Sequence, residues 1–114
     1  MTDPGIVIDL IEAFRRSKTM FAAVSLGVFD ALTAGAKPLP VLAKELNANA
    51  DALERLLDAC VGLQLLSRNP QGYGNTPVAS TYLCKNSPNR ITGYINYSND
   101  VMWKLWGNLE DAVR

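Results

Sequence analysis

The residues able to do chemistry in this chain are few, and their spacing narrows what they can do. Histidine is absent from all 114 residues, which excludes histidine metal ligands, Ser-His-Asp triads and histidine general bases within the chain. Cys60 and Cys84 are the two cysteines, too few for a four-thiolate zinc site or a disulfide scaffold. Cys60 falls on an apolar helical stripe, where a thiol serves as a small buried hydrophobe. Asp9 with Glu12, and Glu54 with Asp58, stand at helical spacing, yet on amphipathic surfaces where solvation explains them without shifted pKa values. Gly72-Tyr73-Gly74 lacks the third glycine and the following helix of a nucleotide loop, and reads as a turn. Asn96-Tyr97-Ser98 matches a glycosylation acceptor, but Met1-Thr2-Asp3-Pro4 shows no basic, secretory-type start. No residue set qualifies as catalytic or metal-binding. What remains is aromatic. Tyr94, Tyr97, Trp103 and Trp106 crowd one short region. Trp103 and Trp106, three apart, can share a helix face. Tyr97 and Trp103 read either as core or as an apolar wall for a flat ligand, with hydroxyl and indole N–H as anchors; Trp106 reads as core or subunit seam.

The elements that must carry these residues follow from periodicity. Asp3 can cap free N–H groups and Pro4 suits the first helical position. Val7, Leu10, Ile11, Phe14, Phe21 and Val24 keep a mainly helical spacing, interrupted by the basic Arg15, Arg16 and Lys18. Gly27 should break this helix, with a short helix over 28–32 after it. Pro38-Leu39-Pro40 starts a two-turn helix, Asn47-Ala48-Asn49-Ala50 is a tight connector, and Asp51 three before Glu54 resembles a capping box. The helix that follows has a wide apolar face of Leu53, Leu56, Leu57, Cys60, Val61 and Leu63. The pair reads as a helix-turn-helix, and Asn69-Pro70-Gln71-Gly72 as a type I turn closing a small β-hairpin. The predicted fold is therefore mainly α: a winged helix with long N- and C-terminal helices forming an intertwined dimer. Pro77 restarts helix, and Met102, Leu105, Trp106, Leu109 and Val113 pattern the last one, which reaches Arg114 without a stop signal. Residues 1–114 are read as one winged-helix dimerisation domain, expected to continue into another domain.

Composition bounds the partners. The chain is 48% hydrophobic and 19% charged, with 11 basic and 11 acidic residues, which suits a folded domain and offers no net charge to attract nucleic acid or an anionic membrane. The second helix of the helix-turn-helix would read DNA in a regulator. It carries Asp51, Glu54 and Asp58 against Arg55, and the hairpin adds only Arg68, which disfavours phosphate contacts. The uncharged stretch from Thr19 to Phe29 is too short to span a bilayer. A cytoplasmic protein binding neither nucleic acid nor membrane is the expectation. Apolar end helices need something to pack on, and an isologous dimer burying Val7, Leu10, Phe14, Phe21, Met102, Leu105 and Leu109 would supply it.

Several segments, in order, carry a resemblance. Met20-Phe21-Ala22-Ala23, Leu26-Gly27-Val28-Phe29-Asp30-Ala31-Leu32, the run from Glu54 to Cys60 with Leu63 and Leu65-Leu66, then Tyr73-Gly74-Asn75-Thr76, and the ending from Trp106 to Arg114 resemble the N-terminal dimerisation domain of the acetylserotonin (hydroxyindole) O-methyltransferase family, including its methyltransferase-like paralogue and bacterial small-molecule O-methyltransferases. The resemblance implies a homodimer whose first helices cross to the other subunit. It also implies a following domain that binds S-adenosylmethionine and supplies the catalytic histidine, and a small aromatic hydroxyl as methyl acceptor. Neither a cofactor site nor catalysis is then expected in this stretch; the longer protein would be the transferase. In the paralogue, a nucleotide pyrophosphatase domain would precede it. By position, Phe14 and Met20 are candidates to reach the partner's acceptor pocket. Tyr97 and Trp106 align with aromatics near that pocket, while Trp103 departs from the family pattern. Two other readings stand beside this one: a winged-helix DNA-binding transcription regulator, and a free-standing ligand-binding dimer using the Tyr97/Trp103 region.

Overall fold

Gly27 ends the longest element. In the computed structural model, which describes residues 2–114, α1 runs Gly5–Leu26, and Gly27 takes φ 84° so that its N–H closes on the carbonyls of Ala23 and Val24. That left-handed cap is inexpensive only for a residue without Cβ. At the other end the Asp3 carboxylate accepts the Gly5 N–H at 2.9 Å. The helix opens one residue later than the proline-first expectation, with Pro4 just outside it.

α2 (Val28–Ala31) follows at once, then α3 (Leu39–Glu45) and α4 (Ala50–Gly62). The Asp51–Glu54 capping box does not form. Asn49 caps α4 instead, its Oδ1 accepting the Ala52 N–H at 2.9 Å, because the helix starts early enough to place Asp51 inside its first turn. β1 (Leu66–Asn69) and β2 (Gly72–Asn75) pair antiparallel from Leu66↔Asn75 to Asn69↔Gly72, so the expected hairpin is present. A third piece of backbone joins it: Lys37 and Tyr73 exchange N–H···O bonds of 2.9 Å in both directions. The approach is so close that a Cβ on Gly72 would lie 2.2 Å from the Lys37 carbonyl oxygen.

The core sits where α1's last turns, α2, α3, α4 and the hairpin meet. Val28, Phe29, Leu42, Leu57, Cys60, Leu66 and Tyr73 are fully buried there, each large apolar side chain contributing roughly 1.5–3 kcal/mol by leaving water. Cys84 and Leu83, just after α5 (Pro77–Tyr82), close one side. The Asp30 carboxylate accepts the Lys85 N–H at 2.8 Å, fixing that segment to α2.

The final stretch departs from a single long helix. α6 (Thr92–Tyr97) passes through a π-helical turn, Ser98–Met102, into α7 (Trp103–Trp106), and the path then breaks before α8 (Leu109–Val113). Gly107 and Asn108 cause the break. The Asn108 N–H bonds the Leu105 carbonyl at 3.0 Å and its side chain donates to the Lys104 carbonyl at 3.2 Å, drawing a carbonyl out of the helical ladder. The result is mainly helical with one small antiparallel sheet. No helix among the described residues is long and apolar enough to cross a membrane.

Candidate functional site

α1 changes character along its length. Its last turns place Ala23 and Val24 in the core with Met20 and Phe21 packed beside them. Its first turns touch almost nothing. Ile6, Val7, Ile8, Leu10, Ile11 and Phe14 are all exposed, Leu10 at 73%. Val7, Leu10, Ile11 and Phe14 stand at i, i+3, i+4 and i+7, a stripe made for a facing surface. The molecule is correspondingly extended. Its radius of gyration is 16.1 Å, where a chain of this length ordinarily packs to about 13 Å. Its surface is 7793 Å², roughly 1,700 Å² above the norm for this mass.

The other aromatic end meets α1 at one point. Trp103 lies edge-on to Phe21, ring centres 6.1 Å apart, and tilted against Phe14 at 6.4 Å. Lys18 caps this contact, its ammonium 5.4 Å over the indole and hydrogen-bonded to Asn99 Oδ1 in the π-helical turn. A cation over a partly shielded indole contributes on the order of 1 kcal/mol. By sequence Lys18 is only one of three basic residues that interrupt the apolar spacing of α1. Eighty-one residues separate it from Asn99, and no local pattern announces that pairing.

Trp103 and Trp106 do share a face. With Ser17, Phe21, Ser98 and Met102 they line an open groove of about 300 Å³ between α1 and the π-helical turn. Trp103 is half-buried against its own chain, whereas Trp106 is 63% exposed. Trp106 is thus no part of this chain's core. Tyr97 and Tyr94 are exposed beside, but not in, that groove. Met20 points elsewhere, lining a shallow depression with Arg16, Leu63 and Leu65. A second apolar groove, about 240 Å³, lies across the α7–α8 break and is lined by Met102, Leu105, Trp106, Leu109 and Ala112. Of the expected interface residues, Val7, Leu10, Phe14, Leu105 and Leu109 are exposed, and Phe21 and Met102 are half-buried.

The carboxylates of α4 are not simply solvated. Arg68, the only cation of the hairpin, bonds Asp58 at 2.9 Å and Glu54 at 3.3 Å, and lies 4.8 Å over the Tyr73 ring. Tyr73, buried, donates its hydroxyl to Asp58 Oδ1 at 2.6 Å. Burial first, and this bond to a carboxylate second, push the Tyr73 hydroxyl up to about 12. The residues that would have to face phosphates in a DNA reader are therefore occupied with one another, and nothing favours the nucleic-acid reading. Burial likewise pushes the Cys60 thiol up to about 11, and Cys84 is raised by burial and by the neighbouring Asp30 charge; neither is a nucleophile. Among the described residues no group of acids and cysteines could hold a metal.

A helical module with a buried centre and bare apolar ends is the kind of chain that completes itself against another surface. Comparison with known proteins gives that class a family. The model described as O-methyltransferase dimerisation domain matches residues 8–85, and the chain belongs to that family. It is 40% identical to acetylserotonin O-methyltransferase from Gallus gallus across 97% of its own length and 34% of that protein. It is 38% identical to the probable bifunctional dTTP/UTP pyrophosphatase/methyltransferase protein of Homo sapiens across 97% of its length and 18% of that protein. The crystal structure of human N-acetylserotonin methyltransferase in complex with SAM superposes with a TM-score of 0.87 at 37% identity, covering 96% of this chain and 33% of that one. The chain thus spans about a third or less of these relatives.

Proposed function

We propose that this chain is the homodimerisation module of an S-adenosylmethionine-dependent O-methyltransferase acting on a small aromatic hydroxyl, and that it supplies part of the acceptor pocket. The family assignment supports the first half, and the names of the relatives support the methyl-transfer chemistry. The observation that carries the dimer is the bare first half of α1: six large apolar side chains left exposed on one arm. Covering roughly 1,700 Å² on each of two copies would bury the area of an obligate interface. α3, α4 and the β1–β2 hairpin make a winged helix, used here as a scaffold. Tyr97, Trp103 and Trp106, with Phe14 and Met20 reaching over from the other copy's α1, are the proposed pocket wall. The two buried, unpaired thiols suit a reducing cytoplasm.

Among the described residues the sheet is a single antiparallel pair, without the parallel strand–helix unit whose glycine-rich turn receives a methyl donor.

Sedimentation equilibrium at micromolar concentration tests the dimer: a mass of about 25 kDa, twice the 12.4 kDa chain, is expected, and a folded monomer overturns the reading. Tryptophan fluorescence titrated with indoles and phenols tests the wall, with loss of the response in Trp103→Ala expected.

A further inference from the structure

Lys18 is a cation tethered beside an aromatic groove. Phe14, Lys18 and Phe21 stand at i, i+4 and i+7 of α1, so the lysine shares the helix face whose two phenyl rings meet Trp103. Its ammonium lies 5.4 Å over the indole. One of its three donors goes to Asn99 Oδ1, which leaves the others for an acceptor from outside the chain. Ser17 and Ser98, the residues just before Lys18 and Asn99, line the groove of about 300 Å³ together with Phe21, Trp103 and Trp106, and the ammonium therefore stands at its rim. Among the described residues no carboxylate forms an ion pair with Lys18, not even Asp100 in the same π-helical turn as Asn99, whereas Arg15 has Glu12 at 4.0 Å.

We propose that this groove selects aromatic ligands that carry a negative charge, their rings against Trp103 and Trp106 and a carboxylate on Lys18. The inference rests on the acceptor-pocket reading above and names the substrate class: an aryl or fused-ring carboxylate bearing the hydroxyl to be methylated. A groove of this volume lies at the small end of ligand sites and suits one or two fused rings. Its wall is apolar and aromatic apart from the Ser17 and Ser98 hydroxyls, so shape alone admits neutral and charged rings alike. Lys18 is the group that tells them apart. Its tether to Asn99 and the indole already restricts a flexible side chain, and little further ordering is needed when an anion arrives. Asn99 is neutral and leaves the charge unbalanced. Once a ring covers the groove, an ammonium without a counter-charge loses water with nothing in return, whereas a ligand carboxylate supplies both the charge and the acceptors. A neutral ring of the same shape supplies neither.

Naphthoate and naphthamide separate charge from shape, since both are flat two-ring molecules of nearly equal size. Each is titrated into the chain while the two indole N–H resonances are followed by nuclear magnetic resonance, with Trp103→Phe assigning them. Naphthoate is expected to shift the Trp103 resonance and to bind about fivefold tighter than naphthamide, the ratio one partly exposed ion pair supplies. That preference should shrink as salt rises. Lys18→Gln keeps a polar side chain, removes the charge and should bring the ratio to unity; Lys18→Arg should restore it. Lys18 is exposed, so both substitutions leave the core untouched. Arg16→Gln removes a neighbouring cation that does not meet Trp103 and should leave the ratio as it was. A ratio that falls as far in Arg16→Gln as in Lys18→Gln shows attraction to the basic stretch in general and overturns the proposal. Equal affinities in wild type overturn it too, while leaving the aromatic wall standing. Failure of both compounds to move Trp103 overturns the wall as well.

Discussion

Tyr73 and Asp58 are joined by a 2.6 Å hydrogen bond that ties the hairpin to α4. The tyrosine is fully buried up to its hydroxyl, which emerges at the carboxylate and shares it with Arg68. Loss of the hydroxyl in Tyr73→Phe keeps the ring and leaves Asp58 its arginine. The cost should be that of one charge-assisted bond, about 1.5–3 kcal/mol. Urea unfolding checks it, and a change within 0.5 kcal/mol, about the scatter of surface substitutions, would mean the bond adds nothing.

Alkaline pH should weaken the fold in two stages. Burial holds the Cys60 thiol at about 11 rather than 9.0, and burial with the Asp58 bond holds the Tyr73 hydroxyl at about 12 rather than 10.0. Both groups bind their protons more tightly folded than unfolded, so stability is complete below pH 9 and falls as pH rises toward 12. Urea midpoints taken from pH 8 to 11.5 should trace that decline. Cys60→Ala should remove the part beginning near 9, and Tyr73→Phe the part beginning near 10. A flat profile in wild type contradicts both shifts.

The two glycines of β2 should behave oppositely. At Gly72 φ is 120° and an added Cβ meets backbone at 2.2 Å, whereas at Gly74 the nearest atom is 3.5 Å away. Gly72→Ala therefore forces apart the Lys37–Tyr73 bridge and should cost several kcal/mol, on the order of 3 or more. Gly74→Ala makes ordinary contacts and should stay within about 1 kcal/mol. Thermal melts of the pair decide it; equal losses would show that the close approach of Lys37 is dispensable.

Much of this architecture is written locally. Gly27, Pro38-Leu39-Pro40 and Asn69-Pro70-Gln71-Gly72 punctuate the chain where the structure does, because φ restrictions act on single residues. The hairpin and the apolar face of α4 follow from short-range periodicity. What escaped is long-range or competitive. Arg68 closes on Asp58 and Glu54 only after the hairpin folds back on α4. Lys37 joins the sheet from a loop with no strand pattern. Asn49 outcompetes Asp51 for the cap because helix onset depends on backbone geometry two residues earlier. The continuous stripe through Met102, Leu105, Trp106, Leu109 and Val113 concealed the break at Gly107–Asn108, since periodicity survives an interruption that composition alone scarcely marks. Of the aromatic wall, the shared face of Trp103 and Trp106 was legible in their spacing. The Lys18 cap was not, because its partner Asn99 lies far along the chain.

The first turns of α1 should be helical only in the dimer. From Gly5 to Phe14 the helix has no buried residue, and a segment that short is marginal in water without packing. Ordering it costs roughly 1–2 kcal/mol of backbone entropy per residue, which intrahelical bonds alone barely offset. Seated against another copy, the stripe of Val7, Leu10, Ile11 and Phe14 gains the missing burial. Dilution through the dimer dissociation constant should therefore lower the 222 nm ellipticity by roughly a seventh, the arm's share of the helical residues. The near-ultraviolet signal of the core around Tyr73 should persist. Hydrogen exchange should show amides 9–14 protected in the dimer and exchanging within the dead time in the monomer, while those of α4 stay protected throughout. An ellipticity per residue that holds constant across dissociation would mean the arm is preformed, and that the entropy of its ordering is met within one chain.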